Sequence, residues 1–228
     1  MLDELAAKVS AVDAGAIVEI TESRRVDWQY GRADVSAHRV GELTVTPPWL
    51  ATNPGSPTEI VVEPAMAFGT GEHATTRGCL RLIQLAAPAG KRVVDLGTGS
   101  GVLAIAAAKL GATRVVGIEL DPDAISNAEA NVVLNRVSGS VTIIEGDATV
   151  LLPLLSPADV VLANILSSVI RELLDTIADS LSPAGMAILS GILADESIEM
   201  KRFITARGWQ LHAEDLEDGW WSAIIAHQ

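Results

Sequence analysis

From residue 92 onward, apolar side chains come in short continuous runs separated by stretches of helical periodicity. The strand-like runs fall at Arg92–Leu96, Arg114–Leu120, Val141–Glu145, Asp159–Asn164 and Met186–Gly191. Helix-like stretches separate most of them, at Val102–Leu110, Asp123–Asn135 and Ser168–Leu181, and Asp195–Ala206 follows the fifth. A strand that is apolar at consecutive positions has no water-facing side, so these runs predict a parallel sheet covered by helices on both faces. The end of the chain breaks this rhythm. Trp209–Leu216 and Trp220–His227 flank Glu217-Asp218-Gly219, which predicts an antiparallel hairpin at the sheet edge and a seven-stranded mixed sheet in total.

The earlier residues carry weaker signals. Leu2, Leu5, Ala6, Val9 and Val12 fall at helical spacing before Gly15, and Ala16–Ile20 reads as a short strand. Glu42–Thr46 alternates ahead of Pro47-Pro48-Trp49, and Thr52-Asn53-Pro54-Gly55-Ser56-Pro57 has the composition of a loop. The expected division is a short N-terminal extension and linker over residues 1–46 and a main α/β domain over 47–228.

Composition narrows the function classes. With 228 residues, 49% hydrophobic and 20% charged, the chain is long enough for one full α/β domain with a sizeable core. Its formal net charge of −13 argues against a broad phosphate-binding surface, so no direct nucleic-acid contact is expected. A basic protein partner fits that charge, and so does simple solubility. The single cysteine, Cys79, excludes an intramolecular disulfide and a multi-cysteine metal site, and no metal is expected. Asp3 and Glu4 interrupt the first ten residues, which do not read as a signal peptide, and no run of about 20 apolar residues is present to span a bilayer. A cytoplasmic protein is the expectation.

The sharpest chemical signal is Val93-Val94-Asp95-Leu96-Gly97-Thr98-Gly99-Ser100-Gly101-Val102-Leu103, a strand that runs through a glycine turn into a helix. Gly97 and Gly99 allow a tight turn and close approach of a ligand to the backbone, beside the free N–H groups of a helix start. A dinucleotide fingerprint needs G-x-G-x-x-G, but Val102 stands where its third glycine belongs. Asp95 adds a negative charge at the strand end, which suits the cationic S-adenosylmethionine better than a pyrophosphate. About 20 residues on, Glu119 occupies the place whose carboxylate accepts hydrogen bonds from ribose hydroxyls, while Asp121, before Pro122, reads as a helix cap. Asp147, in the turn Glu145-Gly146-Asp147-Ala148, is a candidate for the adenine amino group. Asn164 ends the fourth strand at the same sheet edge.

Upstream lies Glu63-Pro64-Ala65-Met66-Ala67-Phe68-Gly69-Thr70-Gly71-Glu72-His73-Ala74-Thr75-Thr76. Together with Asp95–Gly101, Asn164-Ile165-Leu166 and Ser190-Gly191-Ile192-Leu193, it closely resembles the PrmA family of ribosomal protein L11 methyltransferases, from roughly Asp27 to the C-terminus. The resemblance implies a Rossmann-like class I methyltransferase fold, S-adenosylmethionine as cofactor, and methylation of lysine ε-amino and N-terminal α-amino groups of ribosomal protein L11. It implies cofactor contacts from Thr76, Gly97, Glu119 and Asn164, with Phe68 and Gly69 near the methyl group and Phe68–Thr76 as a loop over the cofactor. The family usually carries Asp where this chain has Glu119. Its members also have a separate N-terminal recognition domain, joined by a linker that Asp27-Trp28 resembles; about 26 residues precede that point here.

The expected catalytic residues are Asn164, orienting the amine, and Phe68, with solvent taking the proton. His73 is read as a loop-stabilising histidine in preference to a base. Two alternatives remain at this point. One is a methyltransferase of the same fold acting on a small molecule or another protein; the other is a noncatalytic S-adenosylmethionine-binding protein, against which the intact cofactor motifs count.

Overall fold

Seven strands form the main sheet, and their burial explains the continuous apolar runs. In the computed structural model, which describes residues 36–64 and 71–227, β4 (Arg92–Leu96), β5 (Arg114–Glu119), β6 (Val141–Glu145), β7 (Ala158–Asn164), β8 (Leu181–Leu193), β9 (Trp209–Glu217) and β10 (Trp220–His227) assemble in the order β6-β5-β4-β7-β8-β10-β9. The first five are parallel, and β10 runs antiparallel between β8 and β9. The mixed α/β sheet of the class I methyltransferase fold is therefore present. The helix and strand expected at Leu2–Val12 and Ala16–Ile20 lie outside the described residues, as do Asp27, Trp28, Phe68 and Gly69.

Alternation along each strand sends side chains into two separate cores. Val93, Val115, Val160, Leu162 and Ile188 face one, with helices α1 (Ala74–Ala86), α2 (Val102–Lys109) and α3 (Pro122–Leu134) over them. Val94, Leu96, Val116, Ile118 and Val161 face the other, under α4 (Ala148–Leu154), α5 (Ser167–Ser180) and α6 (Ser197–Thr205). Both faces of the central strands are thus dry, which is the condition that continuous apolar strands require.

Local chemistry sets the helix starts. Asp121 caps α3 by accepting the Asp123 N–H at 3.0 Å, and Pro122 occupies the first turn, where its missing N–H has no partner to lose. Asp147 caps α4 in the same way, accepting the Thr149 N–H at 2.8 Å. No helix was predicted for α4, because Leu152 is its one buried residue and Pro153 sits inside it, so it shows no apolar stripe.

A second, small sheet joins β1 (His38–Val40), β2 (Leu43–Thr46) and β3 (Glu59–Val61), with β1 antiparallel and β3 parallel to β2. Val40, Leu43, Val45 and Ile60 bury their side chains in the same core as α1 and α2. Two buried asparagines one helical turn apart, Asn131 in α3 and Asn135 at its C-cap, fix β3. Asn135 accepts the Val61 N–H at 2.8 Å and donates to the Val61 carbonyl at 2.6 Å, and Asn131 accepts the Glu63 N–H at 2.9 Å.

Candidate active site

The carboxyl ends of β4, β5 and β7 open on one side of the sheet. β4 has its sequence successor β5 on one flank and β7 on the other, so the chain changes direction of growth there and leaves a crevice, where ligands sit in open α/β sheets. A cleft of about 560 Å³ occupies it, lined by Thr76, Gly97, Gly99, Leu103, Glu119 and Asn164 among others. That volume is in the range of a small-molecule site. Five of the sequence-predicted residues therefore meet in one place.

The glycine turn adopts the geometry its composition demands. Gly97, Gly99 and Gly101 have φ of 64°, 54° and 81°, a region that L side chains avoid, and a Cβ on Gly97 would lie 2.7 Å from the Ile165 side chain. Glu119 reaches the turn from β5. Its Oε2 accepts the Gly99 N–H at 2.8 Å, and its Oε1 accepts the N–H groups of Leu120 at 2.8 Å and Asp121 at 3.2 Å.

Asp95 differs from its expectation as a cofactor contact. It is 1% exposed and lies beneath the turn, where its Oδ2 accepts the Thr98 hydroxyl at 2.6 Å and its carboxylate also takes the Ala104 N–H. It shapes the loop rather than lining the cleft, because the last residues of β4 are covered on both faces. Burial pushes its carboxyl up to about 7, against the lowering effect of the Thr98 and Ala104 bonds, and the nearby Glu119 charge adds to the rise. Asp147 borders a side cleft of about 260 Å³ that shares Gly97, Glu119 and Leu120 with the first, and its Oδ1 is taken up by Thr149.

Thr76 carries a buried polar atom with no partner. The residue is 0% exposed, lines the main cleft from the first turn of α1, and its hydroxyl makes no hydrogen bond among the described residues. Burying an unpaired hydroxyl costs about 1–3 kcal/mol, so such a group calls for an explanation, and a ligand that completes the bond is one. The orphaned hydroxyl, the glycine cradle and the Glu119 carboxylate together fit a nucleoside with a polar tail.

A second cleft of about 450 Å³ adjoins the first across Asn164, Ile165 and Leu166. Among the described residues, His73, Thr75, Gly191 and Trp220 also line it. His73 caps α1 through Nδ1, which accepts the Thr75 N–H at 3.4 Å and bonds the Thr75 hydroxyl at 2.8 Å, and its ring meets Trp220 edge to face at 5.1 Å. Gly191 has φ of 78°, and a Cβ there would lie 2.2 Å from the Ile165 carbonyl oxygen. Beneath it, the Ser190 hydroxyl bonds the Ser222 hydroxyl at 2.7 Å and donates to the Thr75 carbonyl at 3.2 Å, which ties β8, β10 and α1 together. This is the physical content of the Ser190-Gly191 motif.

Three further contributions were not foreseen. Asn131, besides holding Glu63, donates to the Ser100 carbonyl at 2.9 Å and so couples the glycine turn to the segment that leads toward residue 65. Arg81 binds Asp215 through two hydrogen bonds of 2.7 and 2.6 Å, and Arg77 binds Glu217 at 2.9 Å and Asp218 at 2.7 Å, so α1 is clamped to the C-terminal hairpin. Trp220 is the third. Two buried asparagines at i and i+4 in one helix, and a Trp-Trp pair opening a strand, were the available signals: alternation sends Trp221 into the core and its neighbour to the opposite face.

The model of the family described as Ribosomal protein L11 methyltransferase (PrmA) matches residues 2–228. The Ribosomal protein L11 methyltransferase of Geobacter metallireducens is 40% identical over 211 residues, covering 90% of this chain and 68% of that protein. Its namesake from Bacillus cytotoxicus is 40% identical over 187 residues, covering 81% of this chain and 59% of that protein. The chain thus spans 59% to 68% of the length of these relatives. Among solved structures, the ribosomal protein L11 methylase from Lactobacillus delbrueckii subsp. bulgaricus superposes with a TM-score of 0.76 at 26% identity over 85% of this chain and 100% of that one. An RNA methyltransferase from Salinibacter ruber in complex with S-adenosyl-L-homocysteine gives 0.53 at 27% identity, over 64% of this chain and 87% of that one.

Proposed function

This chain belongs to the ribosomal protein L11 methyltransferase (PrmA) family, and from that premise we propose that it transfers methyl groups from S-adenosylmethionine to lysine ε-amino and N-terminal α-amino groups of ribosomal protein L11. The observation that carries the donor side is the unpartnered Thr76 hydroxyl, buried in the same cleft as Gly97 and Glu119. The acceptor side rests on family membership and on a second cleft that meets the first at Asn164.

Each residue has a task that its position allows. Glu119 holds the ribose hydroxyls, Gly97 and Gly99 let the donor lie against the backbone, and Thr76 supplies a hydroxyl to its polar tail. The nitrogen lone pair of the acceptor forms a bond to the electrophilic methyl carbon that S-adenosylmethionine supplies, while the C–S bond breaks and its electron pair leaves on a neutral sulfide. No general acid is needed at that sulfur. The chain's remaining work is to orient a neutral amine and keep water out. A lysine has a reference pKa of about 10.4, so it sheds its proton to solvent before attack, helped by burial beside a positive charge. The side-chain carbonyl of Asn164, at the junction of the two clefts, accepts an N–H of the incoming amine and aims its lone pair.

The test is incubation of the protein with isotopically labelled S-adenosylmethionine and purified L11, followed by peptide mass spectrometry. Label on L11 amines is the expected result. Bound donor by calorimetry with L11 left unlabelled overturns the L11 assignment, and label on another acceptor in a lysate then identifies what replaces it.

A further inference from the structure

We infer that Asn131 is a positioning residue for the methyl donor, setting the glycine turn through the Ser100 carbonyl and coupling that turn to the backbone of Glu63. The inference rests on the proposed transferase function and adds to it a residue that lines neither of the two clefts. Asn131 is fully buried, so its influence on the donor passes through the turn.

The spacing of helix and strand explains how an asparagine comes to stand there. β3 ends the small sheet with β2 as its strand partner, and the Val62 N–H points that way to reach the Thr46 carbonyl at 3.0 Å. Alternation turns the backbone groups of Val61 and Glu63 to the other edge, which has no strand beside it. α3 supplies the missing partners. Asn127 and Asn131 in the helix and Asn135 at its C-cap follow at steps of four residues, a rise of about 6 Å, while two residues of strand advance about 6.6 Å. The match lets side-chain amides, each with donor and acceptor like a peptide group, serve the edge as a strand would. Asn135 takes both groups of Val61, Asn131 accepts the Glu63 N–H at 2.9 Å, and Asn127 donates to the Glu63 carbonyl at 3.4 Å.

Of these three, Asn131 is the one that also reaches the glycine turn, where its Nδ2 donates to the Ser100 carbonyl at 2.9 Å. Ser100 stands between Gly99, whose N–H Glu119 holds, and Gly101, the N-cap of α2. The turn also lies close against α3, since a Cβ on Gly101 would sit 3.4 Å from the Ala128 side chain. Glu119 therefore grips the turn from β5 by an N–H, and Asn131 grips it from α3 by a carbonyl. A single amide plane carries both bonds of Asn131, so a shift of the turn reaches Glu63 and a shift of Glu63 reaches the turn. Such coupling is reciprocal: as the bond to Glu63 helps set the turn for the donor, the bound donor tightens the bond to Glu63.

Asn135 provides the control, because it is buried beside the same strand and bonds Val61 and the Asn131 carbonyl, with no bond to the turn among the described residues. Calorimetry with S-adenosylhomocysteine compares the full chain as wild type, Asn131→Ala and Asn135→Ala, at a temperature where circular dichroism shows each one folded. Both variants are expected to be less stable than wild type, but affinity is expected to fall about tenfold in Asn131→Ala and less than about twofold in Asn135→Ala. Equal affinity in the two variants, whether normal or weakened, overturns the positioning role. Should Asn131→Ala not fold, amide exchange in the wild type decides. S-adenosylhomocysteine is expected to slow exchange of the Glu63 N–H about tenfold and that of the Val61 N–H less than about twofold. The same slowing at both amides, or none at either, overturns the coupling and leaves the transferase function standing. A wild type that fails to bind S-adenosylhomocysteine overturns that function instead, and the inference with it.

Discussion

The carboxylate of Glu119 grips the N–H of Gly99 at 2.8 Å across the gap between β5 and the glycine turn. Two more backbone N–H groups, from Leu120 and Asp121, fix its other oxygen. A carboxylate has about four acceptor sites, so three such bonds lock its orientation and leave capacity for a hydroxyl. An Asp has less reach from the same strand position, so the extra methylene of Glu119 is what lets its carboxylate meet the glycine turn.

Replacing Glu119 by Ala removes charge-assisted bonds of about 1.5–3 kcal/mol. Binding of S-adenosylhomocysteine, measured by calorimetry, is expected to weaken roughly 10- to 100-fold. Glu119→Asp keeps the charge and is expected to stay within about threefold of wild type. Equal affinity of the Ala variant and wild type would remove Glu119 from the site.

Thr76→Val separates ligand binding from folding. The hydroxyl makes no bond among the described residues, so its replacement by a methyl group of similar size is expected to leave the stability to chemical denaturation unchanged or raise it by up to about 1 kcal/mol. The same change is expected to weaken donor binding about fivefold. A destabilised variant with normal binding would place the hydroxyl in the fold rather than the site.

Asp95 makes stability depend on pH in a direction opposite to that of a salt-bridged carboxylate. Its ordinary value of 3.8 rises to about 7 on burial, so the folded protein binds this proton more tightly than the unfolded chain does. The resulting stabilisation is complete below pH 3.8 and is lost as the pH climbs through about 7. Asp95→Asn, neutral throughout, lacks this dependence. The difference in melting temperature, wild type minus variant, is expected to fall steadily between pH 4.5 and 7 and then level off, as read by scanning fluorimetry. Parallel curves would show that the buried carboxyl ionises normally.

Gly191→Ala tests the seam between the clefts. A Cβ at this left-handed residue meets the Ile165 carbonyl oxygen at 2.2 Å, a backbone atom that yields only if the end of β7 moves. Backbone strain and overpacking together set the expected loss at about 2–4 kcal/mol in chemical denaturation. The displacement reaches Asn164, so the surviving folded fraction is expected to transfer methyl groups more slowly. A variant as stable and active as wild type would contradict the close approach.

Elements whose burial is uniform were legible in the sequence. β4, the glycine turn and α2 announce themselves because the strand is dry on both faces and the turn needs positive φ at Gly97, Gly99 and Gly101. The hairpin of β9 and β10 was equally plain from Glu217-Asp218-Gly219. The small sheet was not, since β1 and β3 are three residues long and owe their pairing to distant partners such as Asn135. The site shows the same division. Thr76, Gly97, Glu119 and Asn164 line one cleft, as their motifs at strand and helix ends led one to expect, whereas Asp95 is buried beneath it, because a strand-end carboxylate looks the same in sequence whether it faces the cleft or the core. The place of Trp220 beside the second cleft was not legible, because it depends on β10 lying beside β8, a neighbour relationship between residues far apart in the chain.

The position of β10 between β8 and β9 has a bearing on biosynthesis. The strand that fills the gap is made after the strand it holds, so an emerging polypeptide carries β9 as a loose end until its companion follows and slides in beside β8. The sheet edge beside β8 is thereby closed only when the last residues of the polypeptide are in place.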